Sequence, residues 1–171
     1  MIQESLKDLL PKFIDYLVGK GRSPSTILAY RADLEQLIKF FQDKNRALAS
    51  DVVQTDIESF RDTLLNQKYT AKSVSRKLNA VKTYFRWLVA ENKIGKNPSE
   101  EVAHPKIQSA MPKYLSPLEY RALRDVVRDD LRISAIVELI LQTGLRISEV
   151  ASLKTENTKD SEIVVEAYAT Q

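Results

Sequence analysis

Eight lysine and arginine residues lie between residues 68 and 96, against the single acidic residue Glu91. A segment this basic indicates a polyanionic partner, because exposed protein faces usually mix both signs of charge. Part of it falls at helical spacing and forms what we call the polar stripe: Lys72, Arg76, Asn79, Thr83 and Arg86. Its cations suit the binding of phosphates, and its amide and hydroxyl groups suit the reading of base edges. A solvated charged face is the alternative interpretation.

The face opposite the polar stripe is apolar, with Val74, Leu78, Val81, Phe85 and Leu88 in register. This pattern predicts a helix from about Thr70 to about Asn92 that buries one side and fits a major groove with the other. A preceding helix presents a face of small residues, which suits close approach either to DNA or to a neighbouring helix. The candidate DNA-binding residues are Arg22, Ser25, Lys72, Ser73, Arg76, Asn79, Lys82, Thr83 and Arg86.

Several other kinds of chemistry are disfavoured by composition. The 171 residues include no cysteine and one histidine, His104, so neither disulfides nor the common zinc motifs are expected. The four glycines form no phosphate-binding loop, and we expect no cofactor and no metal. The longest nearly apolar stretch, Ile133 to Leu141, is too short to span a bilayer, and the N-terminus lacks a signal-peptide pattern. We therefore expect a cytoplasmic protein without membrane partners.

Four amphipathic helices with short connections are predicted in the first hundred residues. The first ends at Gly19, the second begins at Ser23 and Pro24, and the third opens with Thr55 and Glu58 in capping-box register. The fourth carries the polar stripe. Residues 1–96 are therefore expected to form an all-α bundle.

A second, also mainly helical domain is predicted after a proline-punctuated linker at residues 97–113. Residues 1–106 carry 18 basic and 13 acidic residues, whereas residues 107–171 carry 8 and 10, so the charge changes sign across the linker. In the domain at 114–171, Ser116 opens a capping box, a helix from about Leu131 to Thr143 ends at Gly144, and a short helix follows. One or two terminal strands are expected, with residues 162–168 the clearest.

The run from Leu141 to Val150 resembles the TGLRxSE segment of the tyrosine recombinase (phage integrase) family. Residues 23–41, 75–106 and 111–123 resemble, in that order, the family's core-binding domain, its linker and the start of its catalytic domain. The similarity is greatest to the short Xer-like and mobile-element recombinases. It implies a SAM-like four-helix core-binding bundle followed by an incomplete, helical catalytic domain.

The resemblance also implies roles for two residues of the TGLRxSE segment. Arg146 would bind the non-bridging oxygens of the scissile phosphate, which suits a permanently charged, bidentate guanidinium. Glu149 would support it, and the alternative interpretation is a surface arginine in a turn. The family recombines and integrates DNA through a 3'-phosphotyrosyl intermediate and assembles as a homotetramer on paired sites. Its second arginine, lysine, histidine and tyrosine nucleophile have no counterpart here, and Tyr168 lies in the wrong element, so we expect no strand cleavage by this chain alone.

Three interpretations from different classes follow. The first is the DNA-binding N-terminal part of a site-specific tyrosine recombinase. The second is a shortened relative that occupies recombination sites and regulates without cutting. The third is a helical protein-interaction module whose basic stripe meets an acidic protein, which competition by DNA would distinguish from the first two.

Overall fold

The computed structural model describes residues 4–108, 111–159 and 161–165. These residues fall into two compact units, the first holding residues 4–108 and the second the remainder. The first unit contains four α-helices: α1 (Leu6–Gly19), α2 (Pro24–Gln42), α3 (Gln54–Asn66) and α4 (Ala71–Ala90). A single 3-10 turn, Ala49–Asp51, lies between α2 and α3. The prediction of a four-helix bundle is thus confirmed.

Local capping sets where the helices begin. The hydroxyl of Ser23 accepts the N–H of Thr26 at 3.3 Å at the start of α2, and Pro24 occupies the first turn. The hydroxyl of Thr70 accepts the N–H of Ser73 at 3.2 Å ahead of α4. The prediction of a cap at Thr55 is wrong, because α3 begins at Gln54, where the Asp56 carboxylate accepts the N–H of Val53 at 3.1 Å.

The core of the first unit lies between α4 and the other three helices. The predicted apolar face of α4 is completely buried, and its burial extends further around the helix to Tyr84 and Trp87. Phe13 of α1 contacts both of these rings, with centroid distances of 5.1 and 5.4 Å. Because one helix supplies so much of the core, the only exposed part of α4 is a narrow strip that includes most of the polar stripe.

Part of the segment predicted as a linker is fixed to the first unit. Val102 is buried in the core cluster, and the guanidinium of Arg61 on α3 donates to the carbonyl of Ala103 at 3.2 Å. The ammonium of Lys82 donates to the carbonyl of Glu100 at 3.2 Å. Residues 97–104 therefore pack on the bundle, although Pro98 and the lack of periodicity are typical of a linker.

The described residues of the second unit form three α-helices, a 3-10 turn at Thr155–Asn157 and a short hairpin. The helices are α5 (Pro117–Val126), α6 (Leu131–Thr143) and α7 (Ile147–Ser152). The predicted capping box is present, since Glu119 and Ser116 each accept the other's main-chain N–H, at 2.8 and 3.3 Å. Gly144 ends α6 with a φ of 70°, the left-handed conformation that glycine adopts without strain.

Two terminal strands are present, within the predicted number, but the one that begins at Glu162 is shorter than predicted. The strands are β1 (Thr158–Lys159) and β2 (Glu162–Ile163), which pair antiparallel with Thr158 opposite Ile163. A hydrogen bond of 2.9 Å from the N–H of Val164 to the carbonyl of Asn157 continues the ladder. The sequence does not locate the partner strand β1, which is short and polar, and residues 166–168 of the predicted strand lie outside the described residues.

Helix α6 is apolar on most of its surface, yet none of its residues is fully buried. Leu131, for example, is 85% exposed. No described residue of the second unit is fully buried. Nothing in the ranges given above combines the helix length and apolarity needed to cross a membrane.

Candidate nucleic-acid interface

The polar stripe lies on the side of α4 that faces away from the core. The side chains of Lys72, Asn79 and Arg86 are exposed along it. Thr83 is half-buried, and its hydroxyl donates to the carbonyl of Asn79 at 2.8 Å, so only its lone pairs remain for a ligand. The helix itself carries no acidic residue. An exposed helix face with cations near both ends and an amide between them is suited to a phosphate-lined groove.

Arg76 differs from the other cations of the polar stripe because it has an internal partner. Its two terminal nitrogens form a bidentate ion pair with the carboxylate of Asp33 on α2, with Nη2 at 2.9 Å from Oδ1. Arg76 is thus both exposed and paired, and its role in DNA binding stays a prediction. The ion pair between Arg76 and Asp33 connects α4 to α2, so the solvent-facing sides of these two helices lie next to each other.

The start of α2 extends this surface. Arg22 and Ser25 are exposed there, followed by Ala29 and Ala32 one and two turns along. Both alanines are exposed, so no helix within the described part of the chain covers them. We call the combined area the α2–α4 surface and define it by Arg22, Ser25 and the polar stripe.

Two predicted DNA-binding residues make local contacts instead of projecting freely. Lys82 is half-buried and directed to the carbonyl of Glu100. Ser73 is half-buried at the first turn of α4, where its hydroxyl accepts from that of Thr70 at 2.9 Å. Both lie beside the polar stripe, and their roles in DNA binding stay predictions.

The single histidine is tied to the first unit. Nδ1 of His104 lies 2.9 Å from the hydroxyl of Ser75, although the residue as a whole is exposed. Partial burial lowers the pKa of the imidazole, and the positive charge of Lys82 lowers it further. No group of acidic or histidine side chains within the described ranges could hold a metal ion.

Arg146 and Glu149, the two residues implied by the resemblance, contact each other in the second unit. Glu149 accepts the main-chain N–H of Arg146 at 2.7 Å and its guanidinium at 2.9 Å, which fixes the first turn of α7. The main-chain hydrogen bond, then the guanidinium, lower the pKa of the Glu149 carboxyl. The side chain of Arg146 is 81% exposed, so most of its donors face solvent.

Comparison with known proteins identifies the chain. Residues 10–92 match the profile described as "Phage integrase, N-terminal SAM-like domain". A tyrosine recombinase XerC from Roseiflexus sp. (strain RS-1) is 32% identical over 165 residues, which cover 93% of this chain and 52% of the relative. A tyrosine recombinase XerD from Haemophilus influenzae is 34% identical over 155 residues, covering 88% and 52%. The chain belongs to the tyrosine recombinase family. It spans about half the length of the curated relatives it matches.

Solved structures of tyrosine recombinases share the fold. A lambda integrase dimer bound to a COC' core site matches with a TM-score of 0.80 at 19% identity, covering 98% of this chain and 47% of that one. A lambda integrase tetramer bound to a Holliday junction matches with a TM-score of 0.81 at 18% identity, covering 98% and 48%. The predicted class, a helical bundle followed by a helical unit with short strands, is thus the integrase fold.

Proposed function

We propose that the α2–α4 surface binds duplex DNA and that the chain acts as the N-terminal, core-binding part of a site-specific tyrosine recombinase. The observation that carries the proposal is the composition of α4, which buries one side completely and presents cations with no acidic residue on the other. The apolar side of α4 packs in the core, and most of the polar stripe is exposed on the other side, where it can contact a ligand. A polyanion is the ligand that its charge favours.

Geometry favours duplex DNA among polyanions. Helix α4 has 20 residues and is therefore about 30 Å long, and its width with side chains suits the major groove. Lys72 and Arg86 lie near its two ends, where they would reach phosphates on either side of the groove, and Asn79 between them would face base edges. The small residues on α2 would let the backbone of that helix approach the DNA closely.

The wider activity is proposed from family membership. Lambda integrase is solved as a dimer on a core site and as a tetramer on a Holliday junction. By analogy, the intact protein would recombine DNA in the cytoplasm as a homotetramer on paired sites, through a 3'-phosphotyrosyl intermediate. Arg146 would bind the scissile phosphate, with Glu149 fixing the turn that presents it.

A salt titration tests the proposal. Fluorescence anisotropy with a labelled duplex should give an affinity that falls steeply between about 50 and about 200 mM salt, because each phosphate contacted releases counterions. Equal affinity at both concentrations would contradict DNA binding. An acidic protein that displaced the duplex and bound with higher affinity would favour the protein-interaction module instead.

A further inference from the structure

A buried carboxylate lies beneath the polar stripe. Asp33 is 2% exposed and receives three hydrogen bonds from cations, two from Arg76 and one of 2.9 Å from the ammonium of Lys77. Lys77 is itself only 8% exposed. A buried charge is costly unless it is paired, and here a single carboxylate is shared between two cations on α4.

Lys77 contacts Asp33 and Tyr69, and neither contact involves Arg76. Its ammonium lies 5.5 Å from the centre of the Tyr69 ring, and the amide of Gln36 donates to the Tyr69 hydroxyl at 3.4 Å. The charge of Asp33 is therefore balanced by Lys77 inside the protein. Arg76 supplies one further positive charge, which remains on the surface.

Arg76 keeps hydrogen-bonding capacity for a ligand. Its side chain is 55% exposed, and Asp33 takes one N–H from each terminal nitrogen. A guanidinium has five N–H donors, so three remain, and no other acceptor within the described part of the chain takes one. The pair with Asp33 fixes the plane in which these donors lie.

We propose that Asp33 is a positioning residue for DNA recognition, which holds the Arg76 guanidinium as a preorganised fork toward a base edge in the groove. The proposal rests on the proposed function of the α2–α4 surface. Arg76 lies between the outermost cations of the polar stripe, one turn from Asn79, where a helix in a groove meets bases more than phosphates. A free arginine loses conformational entropy on binding, whereas one already fixed loses less and accepts fewer arrangements of partner atoms. Asp33 thereby increases discrimination between DNA sequences.

If the charge of Asp33 alone mattered, removing its carboxylate would have the opposite effect on DNA affinity. Removing the Asp33 carboxylate removes a negative charge next to the bound phosphates, which alone would tighten binding to every duplex. Loss of positioning would instead weaken binding to the preferred duplex and leave other duplexes little affected. The sign of the change therefore separates the two effects.

The test compares K77M with D33N/K77M, which differ only at residue 33. The Lys77→Met background avoids leaving a buried lysine without its carboxylate, and thermal melts verify that both variants fold. The probes are a duplex enriched by the parent protein from a pool with a randomised centre and a shuffled duplex of the same composition. We expect D33N/K77M to discriminate between these duplexes about tenfold less than K77M, the order of effect of one bidentate base contact.

A second variant keeps the test decisive if the double variant does not fold. Arg76→Lys preserves the charge and leaves the buried pair of Asp33 and Lys77 in place, but it removes the fork. We expect R76K to lose a similar share of discrimination. Discrimination retained by R76K, or by a folded D33N/K77M relative to K77M, would overturn the proposal while leaving DNA binding by the parent intact. Failure of the parent to bind either duplex would instead contradict the proposed function.

Discussion

The hydroxyl of Tyr84 donates a hydrogen bond of 2.8 Å to the main-chain carbonyl of Leu6, joining α4 to the first turn of α1. Tyr84 is completely buried, and burial followed by the negative charge of Glu4 raises the pKa of its phenol well above the ordinary value. The phenol is therefore a neutral, internal contact between the first and fourth helices of the bundle. It provides a probe of folding that is independent of DNA.

Tyr84→Phe should lower the free energy of unfolding by about 1 kcal/mol, the usual net contribution of one buried hydrogen bond. The ring and its packing remain, so the native fold should persist. Urea denaturation measures the change, and Tyr114→Phe is the matched control because Tyr114 is 86% exposed. An equal effect of both substitutions would contradict the structural role of the Tyr84 hydroxyl.

Stability should decline above about pH 10 in a manner that depends on Tyr84. Its folded-state pKa is raised, so the unfolded chain releases the phenol proton first and is favoured as the pH increases. The contribution is present in full below the unfolded pKa and is lost as the pH rises toward the folded one. Urea unfolding at about pH 9 and about pH 11 should show a smaller decline for Tyr84→Phe than for the parent.

Lys72→Ala and Leu78→Ala should separate DNA binding from stability. Loss of the exposed Lys72 should weaken duplex binding and reduce the salt slope by about 0.9, the value for one phosphate contact, with little change in melting. Loss of the completely buried Leu78 side chain should cost about 2 to 5 kcal/mol of stability. Lys7→Ala, which removes an exposed cation from α1, controls for charge alone. A salt slope equally reduced in Lys7→Ala would contradict the assignment to α4.

Trypsin should cleave the second unit well before the first. The first unit buries a continuous core from α1 to α4, whereas no described residue of the second is fully buried. Local opening is easiest where few apolar contacts hold the backbone, so the early cuts should follow Arg121, Arg124, Arg128 and Arg132. Mass spectrometry of a time course identifies the fragments, and early cuts within α1 or α4 would disagree with the observed burial.

The Glu149 carboxyl should titrate below the ordinary pKa of a glutamate, and it should still do so in Arg146→Ala. The main-chain N–H of residue 146 is the largest cause of the lowered pKa and survives that substitution. Because the pKa is lowered, the contact stabilises the first turn of α7 above the ordinary glutamate pKa and is lost as the pH falls through the lowered one. NMR titration of the carboxyl carbon measures both values, and an ordinary pKa in Arg146→Ala would assign the effect to the guanidinium.

The helices and much of the surface can be predicted from the sequence. The caps at Ser23, Thr70 and Ser116 and the left-handed end at Gly144 follow from residues within about one turn, so they can be recognised locally. The separation of α4 into a buried and an exposed face follows from periodicity for the same reason. The resemblance to tyrosine recombinases rested largely on a contiguous run of residues around Arg146.

Which polar groups contact each other depends on tertiary packing. Asp33 pairs with Arg76 from 43 positions away, and Tyr84 reaches Leu6 across 78 positions. No period in the sequence encodes such contacts, because they depend on how helices pack after they form. One signal was nevertheless available, since Asp33 is four positions from the core residue Leu37 and three from the partly buried Tyr30, the spacing of one helix face. An acid at that register requires a buried cation, but only the packing of α2 against α4 determined that two cations share it.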